Sequence, residues 1–316
     1  MTDLTKSCTA SSCEGEEVNV ETDETLDAVL GERRHLMSLA FRMLGTVAEA
    51  EDAVQETYAR WYRMTPAEQD AIEIPRAWLT RVAGRVCLDV LDSARVRRER
   101  YVGPWLPEPV PSDAFAMAGA PASDPLDRVS LDESVSTALL LVLEAMTPAE
   151  RVAFVLHDVF ALPFEEVAEI VGRTPAACRQ LATSARRRVQ DSRGREVPRA
   201  EHDRVVLAFA AAAQGGDLGA LVSVLDPDVV LRSDGGGNVS AARRPVLGAD
   251  NVARFLLGTL TKRPDVEILP QETDDGLGFV MWDEGRIFGV VTLRVAGGRI
   301  SDVWMMVNPE KLSLWR

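Results

Sequence analysis

The chain has 316 residues, a length that suggests two domains or slightly more. Apolar residues make up 46% and charged ones 27%, a globular balance, and no apolar run approaches the roughly 20 residues of a membrane helix. The N-terminus is acidic and lacks a basic start followed by an apolar stretch, so a cytoplasmic protein without membrane association is expected. The net charge of −14 argues against nucleic acid globally, but residues 171–200 hold eight arginines and two acids, a local patch of +6. Such a patch is the footprint that matters for phosphate binding. Four scattered cysteines (Cys8, Cys13, Cys87 and Cys178) make no disulfide framework. Cys8 and Cys13 sit in a polar tail without partner histidines, so no zinc site is expected there; no cofactor is expected.

Residues 1–25 read as a disordered acidic tail. Helical periodicity begins near Leu26, with apolar residues at spacings of three and four up to Leu44 and a C-capping Gly45. Thr46 and Glu49 form a capping-box pattern for a second helix to about Met64. Pro66 and Pro75 bracket a loop or short turn, and a third helix fits Pro75 to about Arg98. Six prolines between 103 and 125 mark an extended linker. Helices resume at Asp127–Ala145, Pro148–Val159, Pro163–Val171 and Pro175–Asp191, with Thr147 and Thr174 each preceding a proline as N-caps. Beyond Pro198 two helices, Glu201–Gln214 and Leu218–Leu225, precede strand-like runs at Val229–Leu231, Val266–Leu269, Gly278–Trp282, Ile287–Val295 and Ile300–Val307. Gly297-Gly298 is a hairpin turn signal, and an α+β domain with a curved antiparallel sheet is expected.

Three motifs carry chemistry. In the first, Phe164–Val171 closes at Gly172 and Thr174 opens the next helix, the spacing of a helix-turn-helix. Its second helix presents Ala176, Arg179, Gln180, Thr183 and Ser184, then Arg186, Arg187 and Arg188. Arginine and glutamine can read guanine and adenine edges. Read blandly, this is a helical hairpin with a solvated basic end. The second motif, Ala48–Tyr62, buries one face and sets Glu49, Asp52 and Glu56 on another as an acidic stripe; by composition alone it is an ordinary solvated face. The third mixes Arg76, Trp78, Arg81 and Arg85, groups suited to stacking on unpaired bases and holding phosphate, or else to a buried tryptophan beside solvated arginines.

Together, over about Leu26–Asp191, these motifs resemble bacterial sigma factors of the extracytoplasmic-function type. The resemblance implies a multidomain fold: an all-α region-two domain (26–100), a Pro-rich linker (101–126), an all-α region-four helix-turn-helix domain (127–195), and an α+β domain (200–316). It also implies an RNA polymerase core enzyme and promoter DNA as partners. On that basis Asp52, Gln55, Glu56 and Arg60 are expected to bind core polymerase. Arg76, Trp78, Arg81 and Arg85, with the Thr65–Ile74 loop, would read the minus-ten element. Thr174, Ala176, Arg179, Gln180, Thr183, Arg186 and Arg187 would read the minus-thirty-five element. Trp105–Pro109, Asp234–Asn238 and Asn308–Leu312 look like signatures of the sigma group with a fused SnoaL-like cone, of nuclear-transport-factor-2-like fold. That places regulatory contacts at Trp105, Leu106, Pro107, Asp234, Gly235, Asn308 and Lys311. Asn238 stands where the group usually has lysine, and Ser184 where many have arginine. The cone could instead serve as a small-molecule receptor or enzyme, with a small ligand inside it. A base would then be needed, but His35, His157 and His202 all lie outside the predicted strands, and Asp234 beside three glycines suits a contact or turn. No enzymatic activity is expected.

Overall fold

A computed structural model describes residues 29–98, 101–111, 136–192 and 197–315. The predicted tail at 1–25, the linker beyond Pro111 and residues 127–135 of the helix expected at Asp127–Ala145 lie outside these residues. The first helical unit comprises α1 (Arg33–Leu44), α2 (Val47–Tyr62), the short α3 (Pro66–Asp70) and α4 (Pro75–Arg98). Gly45 ends α1 in the left-handed conformation at φ +79°, which favours glycine. Thr46 then caps α2 by accepting from the Glu49 amide. Val47, Ala50, Ala53, Val54, Thr57 and Trp61 form the buried face of α2.

The second unit comprises α5 (Thr137–Glu144), α6 (Pro148–Phe154), α7 (Phe164–Val171) and α8 (Pro175–Ser192). A capping box at Thr147 and Glu150 starts α6. The helix expected through Val159 widens at Val155–Val159 into a π-turn, closed by the Phe160 amide donating to the Val155 carbonyl (3.1 Å). Ala161 at φ +56° then turns the chain. α4 packs against both α6 and α7, so the two helical units share one apolar core; Gly84 of α4 admits Leu156 and Ile170.

The C-terminal domain carries α9 (Arg199–Gln214), α10 (Leu218–Val224), β1 (Leu225–Asp234), β2 (Val246–Leu247), α11 (Ala249–Thr261), β3 (Glu267–Thr273), β4 (Gly276–Asp283), β5 (Arg286–Ala296) and β6 (Arg299–Met306). The sheet order is β2-β1-β6-β5-β4-β3. Its β1–β6 pair is parallel, with Leu231 opposite Val303, so the sheet is mixed where an antiparallel one was expected. β1 is also longer than predicted, and α11 was not predicted. Because side chains alternate along a strand, the sheet has two apolar faces. Val303 and Met305 of β6 face the core formed with α9, α10 and α11. Trp304 and Met306 face the other way, where Val280 and Val290 join them under Leu106, Leu312 and Trp315. Ala138 and Leu141 of α5 pack against that second core, so the linker and the first helix of the second unit both cover the sheet.

Candidate nucleic-acid interface and linker clamp

The helix-turn-helix forms as the spacing predicts. Gly172 closes α7 at φ +69°, and the Thr174 hydroxyl accepts from the Ala177 amide at 3.2 Å. Cys178, Ala182, Ala185 and Val189 hold α8 in place, leaving Ala176, Arg179, Gln180, Thr183 and Arg187 exposed on one side. Arg179 lies over the Phe164 ring and pairs with Glu165 (3.0 Å); Arg186 pairs with Asp158 (2.5 Å). The Ser184 hydroxyl donates to Glu150 at 2.8 Å, anchoring α8 to α6 rather than facing phosphate.

On α2, Asp52 and Gln55 are exposed, whereas Glu56 is held by Arg60 at 2.9 Å and Arg63 at 3.6 Å. The Arg60 hydrogen bond draws the Glu56 carboxyl below its ordinary range. On α4, Arg76 donates to His35 Nδ1 (3.1 Å) and pairs with Glu32 (3.5 Å), and Trp78 meets Trp61 edge-on at 5.2 Å. Arg85 donates to the Glu169 carbonyl (3.2 Å), and Arg81 lies 4.0 Å from Glu166. Both acceptors belong to α7, the first helix of the helix-turn-helix. The face expected to read one promoter element is therefore partly occupied by the module expected to read the other.

The linker is built into a polar clamp. Asp234, the last residue of β1, is fully buried and accepts four hydrogen bonds. Its Oδ1 takes the Tyr101 hydroxyl (2.6 Å) and the Gly236 amide (3.0 Å). Its Oδ2 takes the Leu106 amide (2.9 Å) and the Lys311 ammonium (2.9 Å). Lys311 also donates to the Leu106 carbonyl (2.6 Å), and its charge sits 4.2 Å above the Trp105 ring. Asn308 donates to the Tyr101 hydroxyl (3.0 Å) and caps the Glu310 amide. Gly236 is at φ +62°, and a Cβ there would lie 2.6 Å from the Asn308 amide; one at Gly235 would lie 2.7 Å from the Val239 carbonyl. Burial and the Asp234 hydrogen bond both push the Tyr101 phenol up.

The other side of the linker grips the first helical unit. A Cβ at Gly45 would lie 2.8 Å from Trp105 and 3.6 Å from Pro107. The Glu108 amide donates to the Gly45 carbonyl (2.8 Å), and its carboxylate accepts from the Val47 amide (2.8 Å). Trp315 donates to the Pro109 carbonyl (2.8 Å). Tyr101 and Trp315 were not singled out by sequence, and Glu108 only as part of the Trp105–Pro109 segment with no contact assigned to it; their roles depend on partners far away in the chain. Asp275 was missed for the same reason. It accepts from both the amide (2.7 Å) and the hydroxyl (2.5 Å) of Thr137, fastening the start of α5 to the cone.

Two family models match the helical units: Sigma-70 region 2 over residues 29–99 and Sigma-70 region 4 over residues 136–189. The ECF RNA polymerase sigma factor SigJ of Mycobacterium tuberculosis (strain ATCC 25618 / H37Rv) is 41% identical over 293 residues, covering 89% of this chain and 91% of that one. The chain belongs to the ECF RNA polymerase sigma factors. This sigma factor is also 37% identical over 282 residues to the probable ECF RNA polymerase sigma factor SigI of M. tuberculosis (strain CDC 1551 / Oshkosh), covering 89% and 92%. The crystal structure of M. tuberculosis SigJ superposes with a TM-score of 0.68 at 39% identity, covering 92% of this chain and 98% of that one. The fold is thus two helical sigma domains followed by an α+β domain with a mixed sheet, as the likeness to the SigJ structure supports. No helix among the described residues is long and apolar enough to cross a membrane, and no group of three His, Cys, Asp or Glu among them could hold a metal.

Proposed function

We propose that this chain binds core RNA polymerase in the cytoplasm and directs it to promoters, with its own cone controlling how the two DNA-reading modules are placed. The observation that carries this is the linker: Trp105, Leu106 and Glu108 touch the cone on one side and the α1–α2 turn on the other. Core contact falls to the exposed face of α2 at Asp52, Gln55 and Glu56, with Arg60 setting the Glu56 carboxylate. Arg76, Trp78, Arg81 and Arg85 read the minus-ten element. Arg179 and Gln180 read base edges upstream, Arg186 and Arg187 hold phosphates, and Thr174, Ala176 and Thr183 complete that surface. Arg81 and Arg85 must leave α7 to reach DNA, so the closed arrangement is a resting form and polymerase binding opens it. Catalysis has no place in this reading, because Asp234 is saturated by four donors and has no lone pair directed at a substrate.

The test is capture of core polymerase followed by promoter-directed transcription. Truncation before Asn308 removes Lys311 and Trp315 and should raise transcription, while truncation after Arg199 also strips the apolar cover from Leu106 and should change or lower it. If both truncations transcribe like the full chain, control by the cone is wrong.

A further inference from the structure

The cone holds a cavity of about 510 Å³, within the range that encloses drug-sized molecules. Its walls are mainly apolar, with Phe255 from α11, Met281 from β4, Phe288 from β5 and Met305 from β6. Ser233 lines it with 1% of its surface exposed, and its buried hydroxyl has no hydrogen-bond partner among the described residues. An unmatched buried hydroxyl costs stability unless something else meets it. The charged lining residues are Lys262, Arg263, Arg286 and Asp283. Asp283 is already paired with Arg263 at 2.8 Å, and that arginine lies over the Phe288 ring at 4.7 Å. Lys262 and Arg286 are exposed, and none of the described ion pairs engages them. The cavity thus joins an apolar interior and one unmet hydroxyl to two uncommitted cations.

The same walls belong to the linker clamp. Ser233 immediately precedes Asp234. Pro309 and Leu312 line the cavity on either side of Lys311, and Val239 lines it just beyond the Gly235–Asn238 turn. A molecule seated there adjoins the two residues that hold Leu106, Asp234 and Lys311, and the turn that donates to Asp234.

We propose that the cone is a receptor site for a small amphipathic organic anion, an apolar body carrying one acidic group, and that occupancy alters the grip of Asp234 and Lys311 on the linker. The acidic group sits between Lys262 and Arg286, the body lies against Met281 and Met305, and a carbonyl or hydroxyl on it meets Ser233. Transmission to the linker rests on the regulatory reading above; the binding site does not.

The full chain would be loaded with 1-anilinonaphthalene-8-sulfonate, itself an apolar anion, and titrated with decanoate, 1-decanol and decyltrimethylammonium. Decanoate should displace the dye best. The exposed double variant K262E/R286E should weaken decanoate roughly tenfold at low ionic strength while leaving decanol unchanged. Equal displacement by all three head groups, no displacement by any, or indifference of decanoate to the charge reversal overturns the anion site. Hydrogen exchange of residues 101–111 would be followed with and without decanoate, in the wild type and in Lys311→Met. Decanoate should change exchange in the wild type, and much less once Lys311 is gone. If decanoate binds and exchange is unmoved, transmission is overturned; if Lys311→Met still speeds exchange, the clamp itself survives that result.

Discussion

Replacing Lys311 with methionine keeps the unbranched apolar stem of the side chain and removes its ammonium group. Lys311 is the only cation paired with the fully buried Asp234 among the described residues, at 2.9 Å, and its own side chain is 8% exposed. Removing one partner of a buried pair costs about 3–5 kcal/mol, because the other charge is left uncompensated. Asp234 keeps three other donors, from Tyr101, Leu106 and Gly236, so the lower end applies. About 3 kcal/mol corresponds to somewhat more than a hundredfold in an opening equilibrium. The assay is hydrogen exchange at the Leu106 amide, which donates to Asp234. Lys311→Met should speed it on the order of a hundredfold, and Asp234→Asn/Lys311→Met should recover part of the loss because no bare charge is buried. An exchange rate in Lys311→Met within threefold of the wild type would refute the clamp.

Other outcomes follow from separate parts of the molecule. Arg179→Ala should cost about 1–3 kcal/mol on one promoter position and little on others, whereas Arg187→Ala should weaken all sequences alike and flatten the salt dependence; binding titrations on promoter variants distinguish them. Charge reversal at Asp52 and Glu56 should weaken holoenzyme formation more at low salt than at high, measured by core-polymerase affinity. Gly45→Ala combines a strained φ of +79° with a 2.8 Å clash against Trp105, and should lower thermal stability while increasing protease sensitivity near residue 105. Burial pushes Asp274 up to about 7 and Asp275 to about 6, from an ordinary 3.8. Both then hold protons in the folded form that the unfolded chain has released. Stability should therefore fall as pH rises from about 4 to about 7, and Asp274→Asn should flatten that slope in denaturation measured across pH.

Where local rules decide the outcome, the sequence was readable. Thr46, Thr147 and Thr174 announce helix starts, and Gly45 and Gly172 announce ends, because caps act within a turn. Helix α11 escaped because Gly248 precedes it without a side-chain cap, and Gly258, Thr259 and Thr261 blur its periodicity. The parallel β1–β6 pair joins Leu231 to Val303 across some seventy residues, and no local pattern encodes that choice. The same limit applies to the site. The polar side of α8 follows from helical spacing. The occupation of Arg85 by the Glu169 carbonyl and the reach of Glu108 to Val47 depend on how separate units dock.

The outward face of the sheet sets a condition on any opening of this protein. Val280, Val290, Trp304 and Met306 form a continuous oily strip, dry only while Leu106, Leu312, Trp315 and the edge of α5 lie on it. A linker that swings away to let the DNA-reading helices spread wets that strip, and exposed apolar strips of this kind attract whatever is near. The open form is therefore sticky by construction. It needs either a very short lifetime or a host surface, and a bound polymerase is the host within reach. Separating the helical pair from its sheet therefore uncovers apolar residues on both pieces, Leu106, Ala138 and Leu141 on one and Trp304 and Met306 on the other.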